Sequence, residues 1–354
     1  MLLGDANKPL VDNGEGPIKI GFIGPLTGDA SSLGENARAA VTLAAQEINT
    51  EGGINGRSLE VIYEDGQCTG AVANNAAQKL INIDKVTAII GGLCSAETSA
   101  FVPLAVSSRV PTISNCSSAP ALTDAGDYFF RVYPSDSFQG VFAAEYIKNT
   151  LGKNKAAVLY TTDDWGTGLQ ETFKKSFEEL GGEIVAVEGF AKTDRDLRTQ
   201  LSKIKAANPE AVYFLGFTEA SIPGIRQAKE LGINVPIVGG DAWDDATIWD
   251  SVGSDGEGLR FTVVAVPEDA EFTAKLESAG GTMSICAPQA YDATYIYKNV
   301  IEKVGTDRQA IKDELYNVRD FQGVSGVISF DENGDLEQAN YAIKIIRDGV
   351  LVTE

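Results

Sequence analysis

The sequence predicts an α/β protein of two doubly wound parallel-sheet lobes joined by a multi-strand hinge. Three observations predict it. Apolar runs of strand length alternate with longer amphipathic stretches from Ile18 to Asp241, the signature of a parallel sheet with helices on both faces. The alternation occurs twice. Each series has a strand, a glycine-containing loop, an amphipathic helix closed by a Gly-Gly pair (Gly52-Gly53, then Gly181-Gly182) and another strand. Finally, 354 residues exceed what one ordinary core accommodates.

The first series opens with the strand PIKIGFIGPL, the loop TGDASSLG and a helix from about Glu35, whose apolar face is Ala37, Ala40, Val41, Ala44 and Ile48. SLEVIYED, VTAIIGG and VPTIS are the following strands, separated by helices over AVANNAAQKLINI and AETSAFVPLAVSS. The second series runs from about Phe138 through the strands AAVLYTT, EIVAVEGF, AVYFLGF and VPIVGGD. Beyond Gly258, LRFTVVAVPE reads as extended, three helical stretches follow, and GVISFD and YAIKIIRDGVLVTE are late strands. These segments are too few for a third domain and are expected to return and complete both lobes. The expected division is a linker over 1–17, one lobe of 18–134 plus 262–329, and a second of 135–261 plus 330–354, with crossings near 133–137, 258–266 and 328–332. Several crossings suit closure around a ligand.

Composition excludes much. Fifty acidic against 29 basic residues, a net charge of −21, argue against nucleic acid and anionic lipid. No histidine is present, which removes Ser–His and Cys–His nucleophile pairs and histidine metal sites. The four cysteines, Cys68, Cys94, Cys116 and Cys286, show no CxxC spacing; their even number fits disulfides or buried thiols. No apolar stretch is long enough to span a bilayer, and MLLGDANKPLVDNGEG lacks the pattern of an intact secretory signal. GFIGPLTG has the wrong glycine spacing for a dinucleotide loop, no GxSxG occurs, and DENGD reads as a turn rather than a calcium loop. No enzyme activity, cofactor or metal is expected.

In open parallel sheets ligands bind beyond the carboxyl ends of strands, which here are the loops 24–34, 92–96, 115–120, 162–168, 217–221 and 241–245. Ser95 opens a helix and reads either as its cap or as part of an anion site built on that helix start; Ser117 and Ser118 invite the same two readings. Asp241 either caps the short helix DDATIWD or points into the cleft to meet a cation. Trp165, Phe217 and Trp243 place aromatic rings at neighbouring strand ends, with core packing the competing reading for Phe217.

The stretches IKIGFIGPLTGDASSLGENARAAVTLAAQEINTEGGINGRSLEVIYED, GGLCSAET, PTISNCSSAPALT, YTTDDWGTGL and GGD resemble type I periplasmic binding proteins, and among these the leucine/isoleucine/valine-binding branch that feeds ABC importers. The resemblance implies an amino-acid site between the lobes. Ser95 and Ser118 would donate to the ligand carboxylate, and Ser117 would give its carbonyl to the ammonium. Asp241 would pair with that ammonium, Trp165 would form the lid, and Leu93, Phe217 and Tyr291 would line the side-chain pocket. SNCSS departs from the family's more usual Ser-Ala-Thr run. The resemblance also implies a Cys68–Cys94 disulfide, with Cys116–Cys286 as a second candidate. The implied protein is a monomer that captures an aliphatic or branched-chain amino acid and delivers it to a membrane permease. It would work in the periplasm or on the outer face of the cytoplasmic membrane, compatibly with a lipid anchor on a removed segment. A sensory module, or the same fold binding an amide, urea-like or aromatic acid solute, are the alternatives.

Overall fold

A computed structural model describes residue 14 and residues 16–354; most of the expected linker lies outside the described residues. The first half contains β1 (Ile18–Gly24), α1 (Ser31–Thr50), β2 (Leu59–Asp65), α2 (Gly70–Lys79), β3 (Ala88–Gly91), α3 (Ser95–Ser107), β4 (Thr112–Ser114), β5 (Phe129–Arg131) and α4 (Asp136–Glu145). There follow β6 (Lys155–Thr161), α5 (Asp164–Glu179), β7 (Glu183–Phe190), α6 (Arg198–Ala206), β8 (Ala211–Leu215), α7 (Thr218–Glu230), β9 (Ile237–Gly239), α8 (Ala246–Val252) and β10 (Arg260–Val264). The chain ends with α9 (Ala270–Ser278), α10 (Ala287–Val304), α11 (Arg308–Leu315), β11 (Phe321–Gly323), β12 (Gly326–Ile328), β13 (Tyr341–Arg347) and β14 (Val350–Thr353).

Among the described residues β1–β5 form a parallel sheet in the order β2-β1-β3-β4-β5. The larger sheet runs β14-β13-β10-β9-β8-β6-β7, and its parallel part, β10 back to β7, repeats the order of the first. Both lobes therefore carry a switch point beside their first strand, where the loops leaving neighbouring strands diverge and open a crevice. The edge departs from the all-parallel expectation: β13 is antiparallel to β10, and β14 folds back on β13. Asp348-Gly349 makes that return, both with positive φ (54° and 73°), the two-residue turn whose twist matches a hairpin.

The late helix α10 lies against the first sheet and its helix α1. The Tyr297 hydroxyl donates to the Ile89 carbonyl of β3 at 3.0 Å. Arg260–Val264 lies whole within the larger sheet, so the boundary expected between residues 261 and 262 moves past Val264. DENGD is a turn: the Asp331 carboxylate accepts from Asn333 N (2.8 Å) and Asp335 N (2.9 Å).

Helix α1 begins at Ser31, a turn earlier than expected at Glu35. Gly34 is the reason. A Cβ on it would lie 1.9 Å from the Pro25 carbonyl oxygen, so this glycine lets the preceding loop press onto the first helical turn instead of breaking it. Helix α4 starts at Asp136, ahead of the second series expected from about Phe138, because the Ser135 hydroxyl accepts from Ser137 N at 3.3 Å and caps it.

Candidate functional site

The carboxyl ends of the two sheets face one another across a narrow cleft with about 20 Å³ free for the centre of a water-sized sphere. Leu33, Leu93, Ser95 and Ser118 line it from the first lobe, together with Cys94 and Cys116; Trp165, Phe217, Asp241 and Ala242 line it from the second, and Ile285 closes it. The lobes touch around its rim. Ser32 Oγ donates to Asp245 Oδ2 at 2.5 Å, Arg195 pairs with Asp29 at 3.0 Å, and Lys192 donates to the Cys68 carbonyl.

At the first wall, β3 ends in Gly91, where a Cβ would meet the Ile23 carbonyl oxygen at 2.1 Å and where φ is 127°. Only glycine lets the strand turn this tightly into α3. Ser95 is the first residue of α3 and not its cap; Cys94 caps it, and the Glu97 carboxylate accepts from Leu93 N (3.1 Å), Cys94 N (3.0 Å) and Cys68 N (2.9 Å). Burial, outweighing these bonds, pushes Glu97 up to about 7. Ser95 Oγ accepts from Ala119 N at 3.1 Å, which leaves its proton available to the cavity. Ser118 Oγ lies 2.9 Å from Asp136 Oδ2, to which it donates when that carboxyl is ionised.

Ser117 is not at the cavity. Its hydroxyl is engaged by Thr98 Oγ1 (2.6 Å) and the Gly92 carbonyl (2.9 Å), and its own carbonyl faces Arg131 Nη1 at 3.5 Å. The preceding Cys116 takes the lining position. Tyr291 is also remote. It sits one turn inside α10, its hydroxyl donating to Glu47 on α1 and its ring 5.0 Å from Phe272. Ile285, just before α10, is what this segment brings to the cavity. Trp243 is a core residue, fully buried with Nε1 donating to Ser221 Oγ at 2.9 Å.

The second wall holds the site's acid. Asp241 follows β9 in a single turn of 3-10 helix, and the cap of α8 is Asp245, which accepts from Thr247 N at 2.9 Å. The capping role considered for Asp241 is thus filled by another residue. Asp241 is buried and accepts from the Tyr133 hydroxyl at 2.6 Å. Only one orientation of the Gln139 amide gives both its atoms complementary partners. In it the nitrogen donates to Asp136 Oδ1 (2.9 Å) and Asp241 Oδ2 (3.2 Å), while the oxygen accepts from Asp241 N (3.0 Å) and Thr262 Oγ1 (2.8 Å). Burial pushes Asp241 up to about 6, and burial together with the Asp241 charge raises Asp136 well above the carboxylate range. Trp165 and Phe217 stack obliquely over the apolar end, centroids 4.8 Å apart.

Behind the loop 115–120 lies Arg131, fully buried at the end of β5. It grips Asp335 through two nitrogens at 2.6 Å each, and donates to the Ala119 carbonyl (3.0 Å) and Thr123 Oγ1 (2.8 Å). Sequence reading missed this residue and also Tyr133, Asp136, Gln139, Leu33 and Ile285. The run RVYPSDSFQ, polar where the chain leaves the first sheet, was the available signal for Arg131, Tyr133, Asp136 and Gln139.

All four cysteines are paired: Cys68–Cys94 with Cα atoms 5.3 Å apart, and Cys116–Cys286 with 5.1 Å. Each bridge contributes one half-cystine to the cavity lining. Among the described residues no cluster of side chains could hold a metal ion, and no helix is long and apolar enough to cross a membrane.

Two mirrored α/β lobes closing on a buried cavity at their switch points define a two-lobed solute-binding protein, and the comparisons agree. The chain belongs to the periplasmic binding protein family, whose model matches residues 17–349. It is therefore a binding protein and not an enzyme. It is 29% identical over 335 residues, 92% of this chain and 89% of the relative, to the leucine-, isoleucine-, valine-, threonine- and alanine-binding protein of Pseudomonas aeruginosa. The leucine binding protein LivK of Thermotoga maritima superposes with a TM-score of 0.89 at 31% identity, covering 95% of this chain and 97% of that one. The branched-chain amino acid transporter substrate binding protein LivJ of Streptococcus pneumoniae, solved in complex with isoleucine, gives 0.86 at 28%, covering 96% and 100%.

Proposed function

We propose that the protein captures a small aliphatic α-amino acid, of the branched-chain type, between its lobes and delivers it to the membrane permease of an ABC importer. The observation that carries this reading is the polarity of the cavity: a buried acid, Asp241, on one wall, a hydroxyl with a proton to give, Ser95, on the other, and apolar side chains between them. A free amino acid has the same layout of ammonium, carboxylate and apolar chain. Leu33, Leu93, Trp165, Phe217 and Ile285 offer the side chain contact without a polar partner, which favours aliphatic ligands. The amino acids that the Pseudomonas relative binds and the isoleucine held by the Streptococcus relative support the same class.

On this reading residues 18–134 with about 265–329, and 135–264 with 330–354, are the closing lobes. The protein acts as a monomer outside the cytoplasmic membrane. A thermal-shift screen of leucine, isoleucine, valine, benzoate and acetamide tests it. A branched-chain amino acid at 100 times its Kd adds about 2.7 kcal/mol to stability. A larger shift with benzoate or acetamide than with any amino acid would overturn the reading.

A further inference from the structure

Asp136 touches no part of the cavity surface, yet it is tied to both of its polar ends. The Gln139 amide nitrogen donates to Asp136 and Asp241 together, and Ser118 Oγ donates to Asp136 from the cavity rim. Two buried carboxylates thus share one donor. Among the described residues neither makes an ion pair. Arg131, whose charge reaches Asp136, is already held bidentate by Asp335. Lys344, on the strand that carries Tyr341, is held by Asp244 at 2.6 Å. The other ionisable groups around the pair are phenols: Tyr133 donating to Asp241, Tyr213 on β8, and Tyr341 on β13, whose buried hydroxyl has no partner. Nothing here neutralises two negative charges, and a ligand ammonium would neutralise one.

We propose that Asp136 is a second acid of the ligand site, which keeps its proton at neutral pH so that the site opposes a single negative charge, on Asp241, to a single ammonium, and that amine binding expels the proton Asp241 takes up in acid. A protonated Asp136 can donate to Ser118, which then turns its own hydroxyl proton toward the cavity; the polarity of Ser118 follows the protonation of Asp136. The direction in which burial moves both groups, with the Asp241 charge adding to it at Asp136, agrees with this arrangement.

The inference rests on the amino-acid reading, and its test separates the two. Leucine is titrated calorimetrically from pH 5 to 8 in pairs of buffers of different ionisation enthalpy. Neither charged group of the free amino acid titrates between about pH 5 and 7, so protons released there come from the protein. The expected result is release that approaches one proton per leucine near pH 5 and fades to none by about pH 7, with Kd weakening by up to about tenfold per pH unit at the acid end. Infrared difference spectra of wild type against Asp136→Asn at pH 7 should show the carbonyl stretch of a neutral carboxylic acid, lost in the variant. Leucine binding with no release at any pH, or a spectrum with only a carboxylate lost, overturns the proposal. The calorimetry needs no variant, so a misfolded Asp136→Asn leaves the proposal falsifiable. If leucine fails to bind and benzoate binds, the amino-acid reading falls, and proton coupling to an amine falls with it; the infrared band then decides the protonation of Asp136 by itself.

Discussion

Asp241 and Arg131 carry opposite charges in the same buried region, and their environments assign them different work. Asp241 is held by neutral donors, Tyr133 and Gln139, and so keeps its charge available for something that enters the cavity. Replacing it with asparagine keeps the size and removes that charge. A buried ammonium that loses its counter-charge typically costs about 2–5 kcal/mol, on the order of 30-fold to several thousand-fold in leucine affinity by calorimetry. An affinity within about threefold of wild type would point to a ligand without an amine. Arg131 has no charge left to offer. It is matched to Asp335 and pins the loop 115–120 against the segment 331–335, where the chain passes toward β13. Arg131→Met would leave Asp335 buried without its partner, and we expect a loss of about 3–5 kcal/mol in urea unfolding, most of it recovered when Asp335→Leu is added.

At the scale of elements, the two disulfides reinforce the same wall. Cys68–Cys94 ties the loop after β2 to the start of α3, and Cys116–Cys286 ties the loop after β4 to the start of α10. The first closes a loop of sequence separation 26, which chain-entropy arguments value at about 3.5 kcal/mol. Reduction should lower the melting temperature by several degrees and weaken leucine binding, while thiol counting of the denatured, unreduced protein should find none. The elements were legible because strands and helices leave local marks: apolar runs, 3.6-residue periodicity, Gly-Gly stops; the cysteine pairings came from the resemblance to a family and not from the cysteine spacing. The limits of that legibility are equally local. Gly34 looked like a loop residue because the approach of Pro25 is a tertiary contact that the sequence does not display. Ser117 and Tyr291 were placed at the site by alignment with a family pattern. Which of three adjacent loop residues faces inward, however, depends on the backbone path of the loop, and Tyr291 is turned away by the facing of α10 against α1. The network of Tyr133, Asp136 and Gln139 escaped notice because its members meet Asp241 only when the lobes are folded together.

For the whole molecule, acid acts in two opposite directions. Burial holds Glu97 at about 7, and Asp163, Asp241 and Asp292 at about 6. A carboxyl raised by folding binds its proton more tightly in the native state than in the unfolded chain. The stability it contributes is therefore full below the ordinary carboxylate range and is lost as pH rises through the raised value. The net charge of −21 adds repulsion in the same direction. Melting temperature without ligand should rise as pH falls from 8 to about 5.5, measured by calorimetry, while ligand affinity falls once the pH drops below about 7. A melting temperature that drops over that range would mean that these carboxyls are not buried as described. The interleaving of the lobes matters also before the molecule is finished. Helix α10, which lies along α1, is reached only after β10, and β13, which covers the flank of β10, comes almost last. A ribosome that has just delivered β10 has thus produced no complete lobe. Nascent chains should stay loose and protease-sensitive until release, and folding should then proceed in both halves at once instead of one domain at a time.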